Sequence, residues 1–156
     1  MSDNIVLLQS SDIGAFLEAV PHIRALGLQI EDAGPDGVVL RLPYQDKLIG
    51  DPESGVLAGG AITSLLDTAA GAAVFVSLPE VRPIATLDLR IDYLKPATPG
   101  EDVLAKVQCY RLTRWIAFVR GLAYHRDPDD PIANCAATFM ATGSEPLCPR
   151  TPGARP

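Results

Sequence analysis

The stretch GVLAGGAITSLLDTAAGAAVFVSLP, from Gly55 to Pro79, carries one ionisable side chain, Asp67, among small and apolar residues. A carboxylate withdrawn from water is costly unless it is paired, hydrogen-bonded or protonated, so Asp67 calls for a partner or a chemical task. Two readings stand side by side: a structural carboxylate held by backbone N–H groups, or a working group in a site. Just upstream, Gly59 and Gly60 precede a long apolar run, where a helix start gathers unsatisfied N–H groups and the positive end of its dipole. Glycines there either permit tight packing or let a substrate oxygen approach the backbone, as an oxyanion hole requires.

Spacing constrains the second reading. Asp67 lies eight positions after Gly59, which at helical rise separates them by about 12 Å along one axis. That is too far for both to touch one reacting carbonyl. Two chains related by a twofold axis remove the difficulty, if the helix start of one faces the carboxylate of the other. Ser64, Asp67, Thr68 and Gly71 fall at i, i+3, i+4 and i+7, a narrow polar or small stripe on a helix otherwise apolar all round.

The elements that must position these residues follow from periodicity. The spacing predicts a short N-terminal helix over about 11–26, opened by Ser and Asp, with Ile13, Phe16, Leu17 and Val20 on its apolar face and an interruption near Pro21. LQIEDAGPDGVVLRLPY reads as a hairpin turning between Gly34 and Gly37, followed by a polar loop with GDPESG. A central helix over about 60–78 comes next and ends at LPEVRP. Four strand-like runs complete the chain as a meander. The first, IATLDLRIDYL, alternates Thr86, Asp88, Arg90 and Asp92 with Leu87, Leu89, Ile91 and Tyr93, as one buried face requires. The layout is α+β, one antiparallel sheet wrapped around one central helix. It is a single domain over 1–142, with a proline-rich, flexible tail over 143–156.

Composition narrows the function. The 156 residues are 47% hydrophobic and 21% charged, enough for a core and unlike a disordered chain. A net charge of -6 and a pI near 4.8 exclude generic nucleic-acid binding through a basic surface. The charge is unevenly placed: Arg90 to Arg126 holds seven cations against three anions. Cys109, Cys135 and Cys148 are widely spaced with no CxxC, which reads as free thiols in a reducing, cytoplasmic setting. The first residues, MSDNIVLLQSSD, carry acidic groups and too short an apolar run to read as a signal peptide. A membrane span over 61–78 is disfavoured by the central Asp67. His22 and His125 have no companions at ligand spacing, so no metal is expected. Cys135 has no evident base that would make it a nucleophile.

GVLAGGAITSLLDTAAG, with IATLDLRIDYLKPATPGEDVLAKV behind it, resembles the PaaI-like (phenylacetate-pathway type) hotdog-fold acyl-CoA thioesterases over about residues 37–142. The resemblance implies a hotdog fold and hydrolysis of an acyl thioester to a carboxylic acid and coenzyme A. By its pattern, Gly59 is the oxyanion-hole glycine and Asp67 the catalytic carboxylate, a general base toward water or a direct nucleophile. Thr86 falls where relatives hold the water, and Asp51 near a position where many members carry Asn. Gly60, Ala58, Ser64 and Thr68 are the neighbouring substrate-binding positions. Ala58 departs from the family, which often has His there. Arg111 and Arg114 are candidates for the coenzyme A phosphates, or simply a solvated turn. The expected partners are an acyl-CoA substrate and a second copy of the chain, as a homodimer or dimer of dimers, with no separate cofactor. A hydratase would pair its acid with a histidine, and none is near Asp67 in the sequence. The alternative from another class is a hotdog protein that binds acyl-CoA without efficient turnover.

Overall fold

A computed structural model describes residues 10–148. The N-terminal segment forms two helices, α1 over Ser10–Ala19 and α2 over Pro21–Leu26. The break lies at Val20, whose extended backbone (φ -92, ψ 113) is what a following proline imposes. The side chains of residues 10–12, where capping was expected, lie outside the described ones. Gly27, at φ 71, closes α2 with its N–H on the carbonyls of Ile23 and Arg24.

Strands β1 (Gln29–Gly34) and β2 (Gly37–Leu42) form the expected hairpin. The polar GDPESG segment does more than loop: β3 (Ile49–Asp51) and β4 (Val56–Leu57) pair as a small second sheet. This hairpin abuts the next helix so closely that a Cβ on Gly50 would come within 2.7 Å of Ala58 Cα. The Ala58 N–H is also tied to the Leu48 carbonyl at 2.8 Å. Together these contacts set where α3, Gly59–Ser77, begins.

Helix α3 is the centre of the molecule. Its length and composition would suffice to cross a membrane, yet ten of its residues, from Ala61 to Val76, are buried within the protein. It lies across β2, β6 and β7. Alternating residues of the sheet meet it, including Leu40 and Leu42 of β2, Val103 and Ala105 of β6 (Val103–Leu112), and Ala117 and Val119 of β7 (Ile116–Tyr124). Alanines on both surfaces allow a close approach, while Leu65 and Leu66, both wholly buried, supply much of the apolar area. Each such leucine contributes about 1.5–3 kcal/mol by leaving water.

The sheet runs β1-β2-β6-β7-β8-β5, all antiparallel, with β8 over Ala133–Ala141 and β5 over Ile84–Tyr93. The sequential meander therefore holds for β6, β7 and β8 but not for β5, which crosses over to pair with β8 and forms an edge. A bulge between Thr86 and Asp88 also breaks the expected alternation on β5. Leu89 and Ile91 are half-buried, but Leu87 is 52% and Tyr93 47% exposed, so the apolar face is only partly covered. Residues 143–148, expected to begin a flexible tail, are docked. Leu147 is fully buried, its N–H bonds to the Arg114 carbonyl at 2.8 Å, and Glu145 pairs with Arg82. The remainder of that tail lies outside the described residues.

Candidate active site

Asp67 is not buried as its apolar surroundings suggested. It is half-exposed, because Asp67, Thr68 and Gly71 of the stripe line a cavity, with Ser64 beside it. Its hydrogen-bond partner is Thr86 on β5, expected to help hold a water, which here donates its hydroxyl to Asp67 Oδ1 at 3.0 Å. Among the described residues Oδ2 receives no hydrogen bond, and so remains open to a water or substrate proton. Thr68 also lines the cavity, but its hydroxyl donates back to the Ser64 carbonyl at 2.7 Å.

The cavity, about 310 Å³, is polar at one end only. Its other walls are Phe16, Val20, Ile23, Phe75, Ile84 and Phe139. Three of these come from α1 and α2 or the break between them. His22 of α2 joins them at the polar end, its Nε2 3.3 Å from the Ser64 hydroxyl. Sequence reasoning missed His22 because 42 residues separate it from Ser64. The available signal was the apolar face of the N-terminal segment, which has to cover something.

Gly59 and Gly60 lie elsewhere in the same chain, exposed at the start of α3. The Tyr93 hydroxyl donates to the Gly59 carbonyl at 2.7 Å and sits 2.9 Å from the Thr63 hydroxyl. Gly59 and Tyr93 border a second cavity, also about 310 Å³, with Leu57, Ile62 and Leu94. At the helix cap, Ala58 has no side chain that can bond to the first turn. Among the described residues nothing accepts from the Gly59 or Gly60 N–H. One chain thus holds the carboxylate and the open helix start apart, as the spacing argument requires.

The remaining candidates scatter. Asp51 closes its own turn, accepting from the Ser54 hydroxyl and the Glu53 N–H, which hold its carboxyl below the usual range. It does not border the Asp67 cavity. Arg111 is an exposed residue of β6 opposite Phe118. Arg114 lies in the β6–β7 turn with its guanidinium 5.3 Å from the Trp115 ring centre. That turn is fastened to the end of β8 through the Ala141 N–H and Trp115 carbonyl, and Ala141 pairs with Ile84, a cavity residue. Burial pushes the Cys135 thiol up to about 11, so it is neutral at physiological pH and not an activated nucleophile.

Comparison with known proteins places the chain in a family. The model of the thioesterase superfamily matches residues 54–132. The medium/long-chain acyl-CoA thioesterase YigI of Escherichia coli is 31% identical over 80% of this chain and 88% of its own. A protein of Halobacterium salinarum named as an esterase is 43% identical, over 56% of this chain and 58% of that one. A solved Pseudomonas aeruginosa protein is 48% identical, with a TM-score of 0.77 over 83% of this chain and 96% of its own. The Escherichia coli PaaI protein, 18% identical, shares the fold at a TM-score of 0.75 over 86% and 94% of the two chains. With its antiparallel sheet folded around α3, the chain belongs to the thioesterase superfamily and is a hotdog-fold enzyme of it.

Proposed function

We propose that this protein hydrolyses acyl-CoA thioesters at a site shared between two subunits, with Asp67 as general base. The observation that carries this reading is the Asp67–Thr86 pair at the head of an otherwise apolar cavity. Thr86 occupies Oδ1 and orients the carboxylate, leaving Oδ2 for a water. That water attacks the thioester carbonyl carbon as its proton passes to Asp67. The developing oxyanion is received by the N–H of Gly59 of the partner subunit, with Gly60 allowing close approach. Collapse breaks the C–S bond, and the coenzyme A sulfur leaves with the proton that Asp67 took up. No electrons are transferred and no cofactor is needed.

A second copy is supported by the free edge at β5, beside which Leu87, Tyr93 and Leu94 are exposed. Arg111 and Arg114 remain candidates for the coenzyme A phosphates, Arg114 by way of the turn that joins the cavity end of the sheet. Asp51 is proposed only as support for the β3–β4 hairpin that carries Ala58 to the helix start. An intracellular compartment rich in coenzyme A fits this reading.

Thiol release from butyryl-, decanoyl-, palmitoyl- and phenylacetyl-CoA tests it. Asp67→Asn is nearly isosteric but cannot take the proton, so kcat should fall by about 10²–10⁴-fold while substrate affinity and the melting temperature hold. Wild-type turnover in that variant removes Asp67 from the chemistry. The competing reading, binding without turnover, is favoured by Ala58, which leaves the helix start without the histidine donor common in the family. Tight acyl-CoA binding with no thiol release from any ester would establish it.

A further inference from the structure

The Asp67 cavity has a direction. Along α3 it is bordered by Asp67, Thr68, Gly71 and Phe75, so its head and far end are two helical turns, about 12 Å, apart. The N-terminal segment runs antiparallel beside it. His22 meets Ser64 at the head, whereas Phe16 meets Phe75 at the far end, their ring centres 5.4 Å apart and their planes at 72°. This edge-to-face pair is a favourable aromatic geometry and resists separation. Ile84, two residues before Thr86 on β5, lies in the same wall. Both ionisable side chains bordering the cavity, Asp67 and His22, border it with Ser64 and Thr86 close by, and Phe16, Val20, Phe75, Ile84 and Phe139 are wholly apolar.

Resting on the thioesterase reading, we infer that Phe16 of α1 and Phe75 of α3 form the floor of an acyl-chain pocket and select a straight aliphatic chain of medium length, with Gly71 keeping its middle open. A thioester whose carbonyl sits at Asp67 must send its acyl chain along this wall, because the cavity offers an apolar lining and no hydrogen-bonding group beyond the head. Burial favours each added methylene by about 0.8 kcal/mol until the chain meets the floor, after which a further one must displace a packed ring. Gly71 lines the cavity between Asp67 and Phe75. A Cβ there would meet only Phe139 Cε1, at 3.8 Å, an ordinary contact, so alanine fits the fold while intruding on the cavity.

The test measures kcat/KM for butyryl-, octanoyl-, decanoyl- and palmitoyl-CoA, with phenylacetyl-CoA as the aryl arm. Wild type should favour octanoyl or decanoyl esters. Phe16→Ala opens the floor and should raise the palmitoyl-to-octanoyl ratio about tenfold or more, roughly the effect of one to two methylenes' worth of burial. Gly71→Ala should shift preference toward butyryl-CoA, and its better helix propensity protects the fold should Phe16→Ala lose stability. Ratios unmoved in both variants, or phenylacetyl-CoA preferred to every aliphatic ester by wild type, overturn the inference. If wild type hydrolyses no ester, the thioesterase reading fails on its own. Displacement of a fluorescent fatty acyl-CoA by the same series then decides the chain-length inference separately, by the same ratios.

Discussion

Ala58 is the residue on which stability and chemistry oppose one another. It occupies the cap of α3 in an extended conformation (φ -60, ψ 134), yet alanine is among the poorest capping residues. Among the described residues the Gly59 and Gly60 N–H groups are consequently open, as the proposed oxyanion site needs them to be. Ala58→Asp supplies an acceptor for the Gly60 N–H and places a negative charge at the positive end of the helix dipole. It should stabilise the protein by about 1 kcal/mol. If the helix start receives the oxyanion as proposed, the same charge opposes it, and turnover should fall at least about tenfold, or 1.36 kcal/mol in barrier. Thermal melting and thiol release, measured on one preparation, check both signs. A stabilised variant with undiminished turnover would place the oxyanion elsewhere.

At the scale of elements, β8 shows how the core restricts its own chemistry. Cys135 is buried on β8, in the same core as α3, and desolvation raises its thiol from an ordinary 9.0 to about 11. The folded state therefore favours the protonated form more strongly than the unfolded chain does. Stability from this group is fully present below pH 9.0 and declines as pH rises toward about 11, where the unfolded chain has ionised and the native thiol has not. Native protein should leave Cys135 unmodified by a thiolate-selective reagent at pH 8, with modification rising only above pH 9. Cys135→Ala should flatten the alkaline fall in melting temperature. Rapid labelling of Cys135 at pH 8 in folded protein would contradict its burial.

At the scale of the whole molecule, the separation of Gly59 from Asp67 becomes a test of assembly. A Cβ on Gly59 would meet the Tyr93 hydroxyl at 3.4 Å, an ordinary contact, and the two further methyls of Gly59→Val crowd the N–H of the helix start, with the melting temperature of the variant showing that it folds. Gly59→Val and Asp67→Asn should each be nearly inactive as homodimers. Refolded together at equal amounts, half of the dimers are mixed, and in each of these one site of two combines an intact Gly59 with an intact Asp67. Activity should return to about a quarter of wild type. Verified mixed dimers that remain inactive would refute the shared site.

Much of this was written locally. The stripe Ser64, Asp67, Thr68 and Gly71 predicted a face unlike the rest of α3, and that face borders the cavity, because a helix of period 3.6 puts these positions together whatever surrounds it. The limits of α3, the β1–β2 hairpin and the three-strand run from β6 to β8 were legible for the same reason: each depends on neighbours in sequence. The 12 Å argument about Gly59 and Asp67 needs only helical rise. Other features had no local signature. The pairing of β5 with β8, the bulge after Thr86, and the docking of Leu147 depend on which distant surfaces bury together. The half-exposure of Asp67 and the entry of Phe16 and His22 into its cavity likewise required α1 and α2 to fold back across α3. Periodicity records which face of an element is apolar, and only tertiary packing decides what that face meets.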